Sequence, residues 1–114
     1  MRFFILCFLI FAGVSTQARA SEITPQDFNR VVDAIYRIEG GARAKKPFGI
    51  LSVPCSGYGA CRKICANTVQ NNFRRWTKAG RPGDYLAFLA NRYAPVSAHP
   101  LNKNWLPNLR RVLK

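Results

Sequence analysis

Apolar residues recur at helical spacing in four stretches of the chain and lose that spacing between them. Phe28, Val31, Val32, Ile35 and Ile38 fall three or four apart, which marks one face of an amphipathic helix. Thr24 is placed to cap it, Pro25 to open it, Asp27 to serve as a rough capping-box partner, and Gly40-Gly41 to close it after Glu39. A second helix is expected from Ala60 to about Ala79. Cys61, Ile64, Cys65, Thr68, Val69, Asn72, Phe73 and Trp76 share one side of it, and Lys63, Arg74 and Lys78 the other. Gly80 ends it. Asp84 then caps a third helix, Tyr85 to Tyr93, with Leu86, Leu89, Ala90 and Tyr93 expected inward and Pro95 as its stop. Ala94 to Asn104 reads as a loop. Trp105 to Leu113 reads as a short terminal helix, with Pro107 tolerable in its first turn.

Between the first two helices, Gly41 to Gly59 is rich in Gly and Pro and reads as a loop region. Within it, Phe48-Gly49-Ile50-Leu51-Ser52-Val53 is expected to form a short strand or one arm of a hairpin. The fold class that follows is mainly α, formally α+β with a minor β-hairpin, in one compact domain. No internal repeat or low-complexity tract interrupts it.

Residues 1–20 follow a different logic. Arg2 supplies a short positive region, Phe3 to Val14 form an apolar run of 12 residues, and Ala18-Arg19-Ala20 fits a small-x-small cleavage pattern. A membrane-spanning helix needs about 20 apolar residues, so this run is too short and reads as a signal peptide. Cleavage would leave residues 21–114, a domain of 94 residues, periplasmic or secreted, with no stable membrane anchor.

Charge narrows the partners. Lys and Arg total 18 against 5 Asp and Glu, a formal net charge of +13. Without Arg2 and Arg19 the exported chain keeps +11, which favours polyanions, and for an exported bacterial-type protein anionic glycan is the nearest. Hydrophobic residues at 48% exclude a disordered basic tail, and a single apolar run excludes a polytopic membrane protein. Four Cys in 114 residues are too few for a scaffold held wholly by disulfides.

One carboxylate stands out. Advancing about 100° per residue from Phe28 puts Glu39 near 20°, inside the apolar arc, whereas Arg30, Asp33 and Arg37 cluster on the opposite side. A carboxylic acid turned toward the core, at the negative end of a helix dipole, can hold a proton near neutrality. That is what a general acid needs to protonate a leaving oxygen.

Ala34-Ile35-Tyr36-Arg37-Ile38-Glu39-Gly40-Gly41, followed by Lys46-Pro47-Phe48-Gly49-Ile50, resembles the catalytic region of the lysozyme-like superfamily, as in bacterial lytic transglycosylases and phage-type muramidases. Asn67 to Tyr93 is similar to the helical hairpin packed against that core, and Arg92 through Asn104-Trp105 to Leu109 to the tail of compact phage-like lysozyme domains. The resemblance implies a lysozyme-like domain over 21–114 that cleaves peptidoglycan, with Glu39 as catalytic acid and Gly49 lining the groove. Two departures are plain: the Glu-Ser of many lytic transglycosylases is Glu-Gly here, and their later Ala-Tyr-Asn-Ala-Gly motif is absent.

A two-carboxylate glycosidase needs a second acid at about 5–5.5 or 6.5–9.5 Å. Glu22 precedes the first helix, Asp27 caps it, Asp33 faces away and Asp84 reads as a cap, so none is an evident partner. A single-acid reaction fits better. The resemblance then implies lytic transglycosylation, with the muramic acid's own 6-hydroxyl closing an anhydro ring; inverting hydrolysis would need a loop to bring Asp84 close.

Tyr58, Tyr93 and Trp105 are the aromatic candidates for substrate binding, Tyr58 and Trp105 being best placed to stack on sugar rings. Asn72, mid-face on the second helix, should need a hydrogen-bond partner, expected in the Gly-rich loop. Cys55, Cys61 and Cys65 leave one bond and one free thiol in an oxidising compartment, with Cys55 paired to either Cys61 or Cys65. Together with His99 they match no common zinc spacing, and no metal or organic cofactor is expected. The expected partners are peptidoglycan glycan strands and an envelope protein, without specific nucleic acid. The alternative is a non-enzymatic exported basic module that binds cell-wall glycan or a partner protein.

Overall fold

The computed structural model describes residues 25–114, so the expected signal peptide, the expected Thr24 cap and Glu22 lie outside the described residues. Four α-helices make up most of this region: α1 (Pro25–Ile38), α2 (Gly57–Lys78), α3 (Tyr85–Tyr93) and α4 (Trp105–Leu113). None is long and apolar enough to cross a membrane.

Helix α2 forms the spine. Its buried residues Cys61, Cys65, Val69, Asn72 and Trp76 lie three or four apart, so one face meets α1 and α3 along its length. Helix α1 inserts Val31, Val32, Ala34 and Ile35, and α4 closes the far side of α1 with Trp105 and Leu109. Aromatic rings fill both ends of α2. Phe73, Trp76 and Tyr85 meet at centroid distances of 5.4–5.6 Å toward its C-terminus. Tyr36, Phe48 and Tyr58 meet at 5.0–5.5 Å beside its first turn.

Local chemistry sets the helix ends. Gly80, at φ 91°, allows a Schellman closure of α2, with Arg81 N–H bonded to Trp76 O and Gly80 N–H to Thr77 O. Asp84 caps α3 by accepting the Ala87 N–H at 3.2 Å. Trp76 donates its indole N–H to Pro82 O at 3.1 Å, which fastens the connecting turn.

The helices match the spacing closely, and three expectations need correction. Helix α2 begins at Gly57, one turn before Ala60. The β-hairpin is not formed, and the described residues contain no strand. Pro47–Gly49 instead makes a 3₁₀ turn in which Phe48 (φ 62°) and Gly49 (φ 68°) are both left-handed. Two successive left-handed residues bend the chain back and cannot continue a strand, and residues 50–56 run on with no strand to pair with. Tyr85, on the face of α3 that carries Leu89, is buried and donates its hydroxyl to Val69 O at 2.7 Å.

Leu89 is fully buried where α3 meets the core. Leu89→Ala is expected to lower the unfolding free energy by about 2–5 kcal/mol in denaturant titrations, through lost burial and the cavity left behind. A loss below about 1 kcal/mol would mean that α3 is not docked as described.

Candidate functional site

Glu39 follows the last residue of α1, and its N–H still bonds to Ile35 O, so its side chain keeps the direction of the helix's apolar face. Gly40 then breaks the helix at φ 109°, where a Cβ would come within 3.1 Å of the Ala44 Cβ. The half-buried Glu39 carboxyl is thereby aimed at the Pro47–Gly49 turn and at the start of α4.

Two features receive it. Trp105 donates its indole N–H to Glu39 Oε2 at 2.8 Å across 66 residues of sequence. Gly49 supplies room: a Cβ there would lie 2.5 Å from both Cδ and Oε1 of Glu39, so only glycine fits beneath the carboxyl. Among the described residues no lysine or arginine makes a salt bridge to Glu39, and Oε1 has no hydrogen-bond partner.

The turn itself is held firmly. The Phe48 ring is fully buried, and the Tyr93 hydroxyl donates to Phe48 O. Tyr93 also stacks on Trp105 at a centroid distance of 5.1 Å and an interplanar angle of 20°. The Tyr93 oxygen lies 3.6 Å from Cys65 Sγ. Burial pushes the Cys65 thiol up to about 11, and it raises Tyr93 well above the usual phenol range, so both are neutral and serve as packing and hydrogen-bonding groups.

Gly49 also lines a groove of about 360 Å³. Gly49 to Ser52 form one wall; Ile64, Thr68, Asn71, Asn72 and Arg75 of α2 form another, and Arg92 and Tyr93 of α3 close the end. Gly49 therefore touches both the carboxyl and the groove. Tyr93 reaches the groove too. Tyr58 does not line it: it is exposed, packs against Tyr36 and Phe48, and its hydroxyl accepts from Arg62. Trp105, expected as an open stacking surface, is only 7% exposed, and its polar edge is taken by Glu39. Spacing alone gave no sign of that bond.

The other described acids have partners elsewhere. Asp33 pairs with Arg62, Asp84 with Arg110 as well as the Ala87 N–H, and Asp27 lies 3.9 Å from Arg30. Asn72 is 2% exposed and gives an amide N–H to Thr68 O on its own helix, not to the Gly-rich loop. Cys55 is bonded to Cys61, with Cα atoms 5.3 Å apart, and Cys65 is the buried free thiol. His99 is exposed, and its Nδ1 accepts the Leu101 N–H. Among the described residues no three His, Cys, Asp or Glu side chains converge as a metal site.

No family model matches the chain, and no curated protein or solved structure matches it significantly.

Two measurements check this geometry. Gly49→Ala should cost at least about 1 kcal/mol of stability, because its backbone is left-handed and the new methyl meets the Glu39 carboxyl. Stability equal to the parent would show that the carboxyl does not rest on that residue. Iodoacetamide at pH 8 should leave Cys65 unlabelled in the native protein and label it in denaturant without reductant. Peptide mapping that finds label on Cys55 or Cys61 instead would overturn the pairing.

Proposed function

We propose that this protein cleaves the glycan strands of peptidoglycan, with Glu39 as the single general acid and base, in the manner of a lytic transglycosylase. The observation that supports this best is the isolation of the Glu39 carboxyl. It meets a neutral indole donor, where each of the other three described acids meets an arginine. It also sits against the glycine that borders a groove. The resemblance of Glu39-Gly40-Gly41 and Pro47-Phe48-Gly49-Ile50 to lysozyme-like enzymes, and an exported chain of net charge +11, point to the same substrate.

In this reading Trp105 holds Oε2 and leaves Oε1 to carry the proton. As the bond between C1 of muramic acid and O4 of glucosamine breaks, Oε1 delivers its proton to O4. The muramic acid 6-hydroxyl then attacks C1 while the Glu39 carboxylate takes the hydroxyl proton. The product is a 1,6-anhydro sugar, water is not consumed, and Glu39 ends protonated as it began. No second carboxylate is needed. Asp84, the acid that a loop would have to bring close for inverting hydrolysis, is held at the start of α3 and by Arg110.

Digestion of purified sacculi followed by mass spectrometry tests the proposal. Anhydro-muropeptides are expected from the wild-type protein, and Glu39→Gln should lower their release by about 10²–10⁴-fold while the protein stays folded. Trp105→Phe, which keeps the ring and removes the donor, should lower the rate without abolishing it. Reducing-end muropeptides would instead indicate hydrolysis. Binding to sacculi with no release at all would leave a non-enzymatic wall-binding module.

A further inference from the structure

The groove beside Gly49 contains charge that the cleavage chemistry does not use. Arg75 of α2 and Arg92 of α3 both line it, and neither has an acidic partner among the described residues. No Asp or Glu lines it. Asn72, almost fully buried in the same wall, has one amide N–H bonded to Thr68 O, which leaves its Oδ1 and second N–H without a protein partner. A buried amide in that state costs free energy unless water or a ligand group meets it. Two unpaired guanidiniums and a half-satisfied amide therefore share one cleft, and its wall includes Gly49, the residue against which the Glu39 carboxyl rests.

We propose that this groove binds a carboxylate carried on the glycan strand, with Arg75 and Arg92 taking its oxygens and Asn72 pairing with an adjacent amide or hydroxyl. This rests on peptidoglycan being the ligand, but not on the strand being cut. Guanidinium matches carboxylate in a planar, two-point geometry, and a cleft excludes part of the water that would screen the pair. A strand with its scissile bond at Glu39 extends past Gly49, and muramic acid is the sugar in that strand that bears an acid. The carboxylate has two sources, the lactyl ether itself or the stem peptide attached to it.

Binding measured by calorimetry on the Glu39→Gln protein at physiological salt separates them. Three ligands of equal sugar length serve: a neutral chitooligosaccharide, an amidase-stripped strand with free lactyl carboxylates, and a strand that retains its stem peptides. At least one anionic ligand should bind about tenfold more tightly than the neutral one, and the tighter of the two identifies the source. Adding Arg75→Gln or Arg92→Gln should erase that preference and leave the neutral affinity alone. Lys78→Gln, outside the groove, should keep it. Equal affinity for all three ligands would overturn the proposal, as would a preference that survives both arginine substitutions. Arg75 and Arg92 are exposed, so these variants should melt like the parent. If wild-type protein shows the arginine-dependent preference yet releases no anhydro-muropeptide, cleavage fails and this inference stands. If it cleaves and the arginine variants keep the preference, the reverse holds.

Discussion

A carboxyl group that ends a helix on its apolar face must be given space and a hydrogen-bond donor, or it will turn out into water. Here the space comes from the missing side chain of Gly49 and the donor from the Trp105 indole, far along the sequence. Both depend on the turn at Phe48-Gly49. The buried Phe48 ring anchors that turn between α1 and α2, and the Tyr93 hydroxyl holds its carbonyl from α3. Tyr93 in turn stacks on Trp105 at the start of α4. All four helices therefore contribute to one carboxyl position, and the left-handed pair of residues is the point where their contributions meet. A non-glycine residue at φ 62° costs free energy in isolation, so Phe48 holds that conformation because its ring and carbonyl are both fixed elsewhere.

The parts of this arrangement that the sequence makes legible are the ones set by local rules. Helices α3 and α4 have the ends expected of them because Asp84, Pro95 and Pro107 act on the backbone within a few residues. The facing of Glu39 toward the core follows from the wheel, since 11 residues from Phe28 is close to three full turns. What stays hidden is non-local. Phe48 to Val53 has the aromatic and branched residues of a strand, but a strand needs a neighbour and none lies beside it. The Trp105–Glu39 bond leaves no periodic trace, because nothing in the spacing of either helix refers to the other. Asn72 shows the opposite bias: a loop partner is the tempting expectation, yet the carbonyl one turn earlier is nearer and takes the amide. Tyr85 was within reach of the pattern, since it lies four residues from Leu89 on the same face of α3.

The distribution of charge sharpens the meaning of the site. Cations outnumber acids more than three to one in the whole chain, so an acid placed at random on this surface would find a guanidinium or ammonium nearby. Asp27, Asp33 and Asp84 do, at exposed or half-exposed positions where such pairs contribute little to stability. Glu39 does not. A pairing arginine would hold its carboxyl ionised and occupy both oxygens, whereas an indole is neutral and takes one. The fold thus meets one oxygen of the group with a neutral donor and leaves the other open, which is the arrangement that the proposed single-acid reaction calls for.

The thiol and phenol beside the site do not compete for the role proposed for Glu39. Cys65 and Tyr93 lie within hydrogen-bonding reach of each other, and burial disfavours the anion of both. With neither able to ionise near neutral pH, Glu39 is the carboxyl left at the Phe48-Gly49 turn, and the disulfide between Cys55 and Cys61 occupies the other two described cysteines. The neutral pair instead stiffens the wall that the groove and the carboxyl share. In the proposed reaction that rigidity would matter, because a proton passed to a sugar oxygen travels along a hydrogen bond and a misplacement of about 1 Å costs rate steeply.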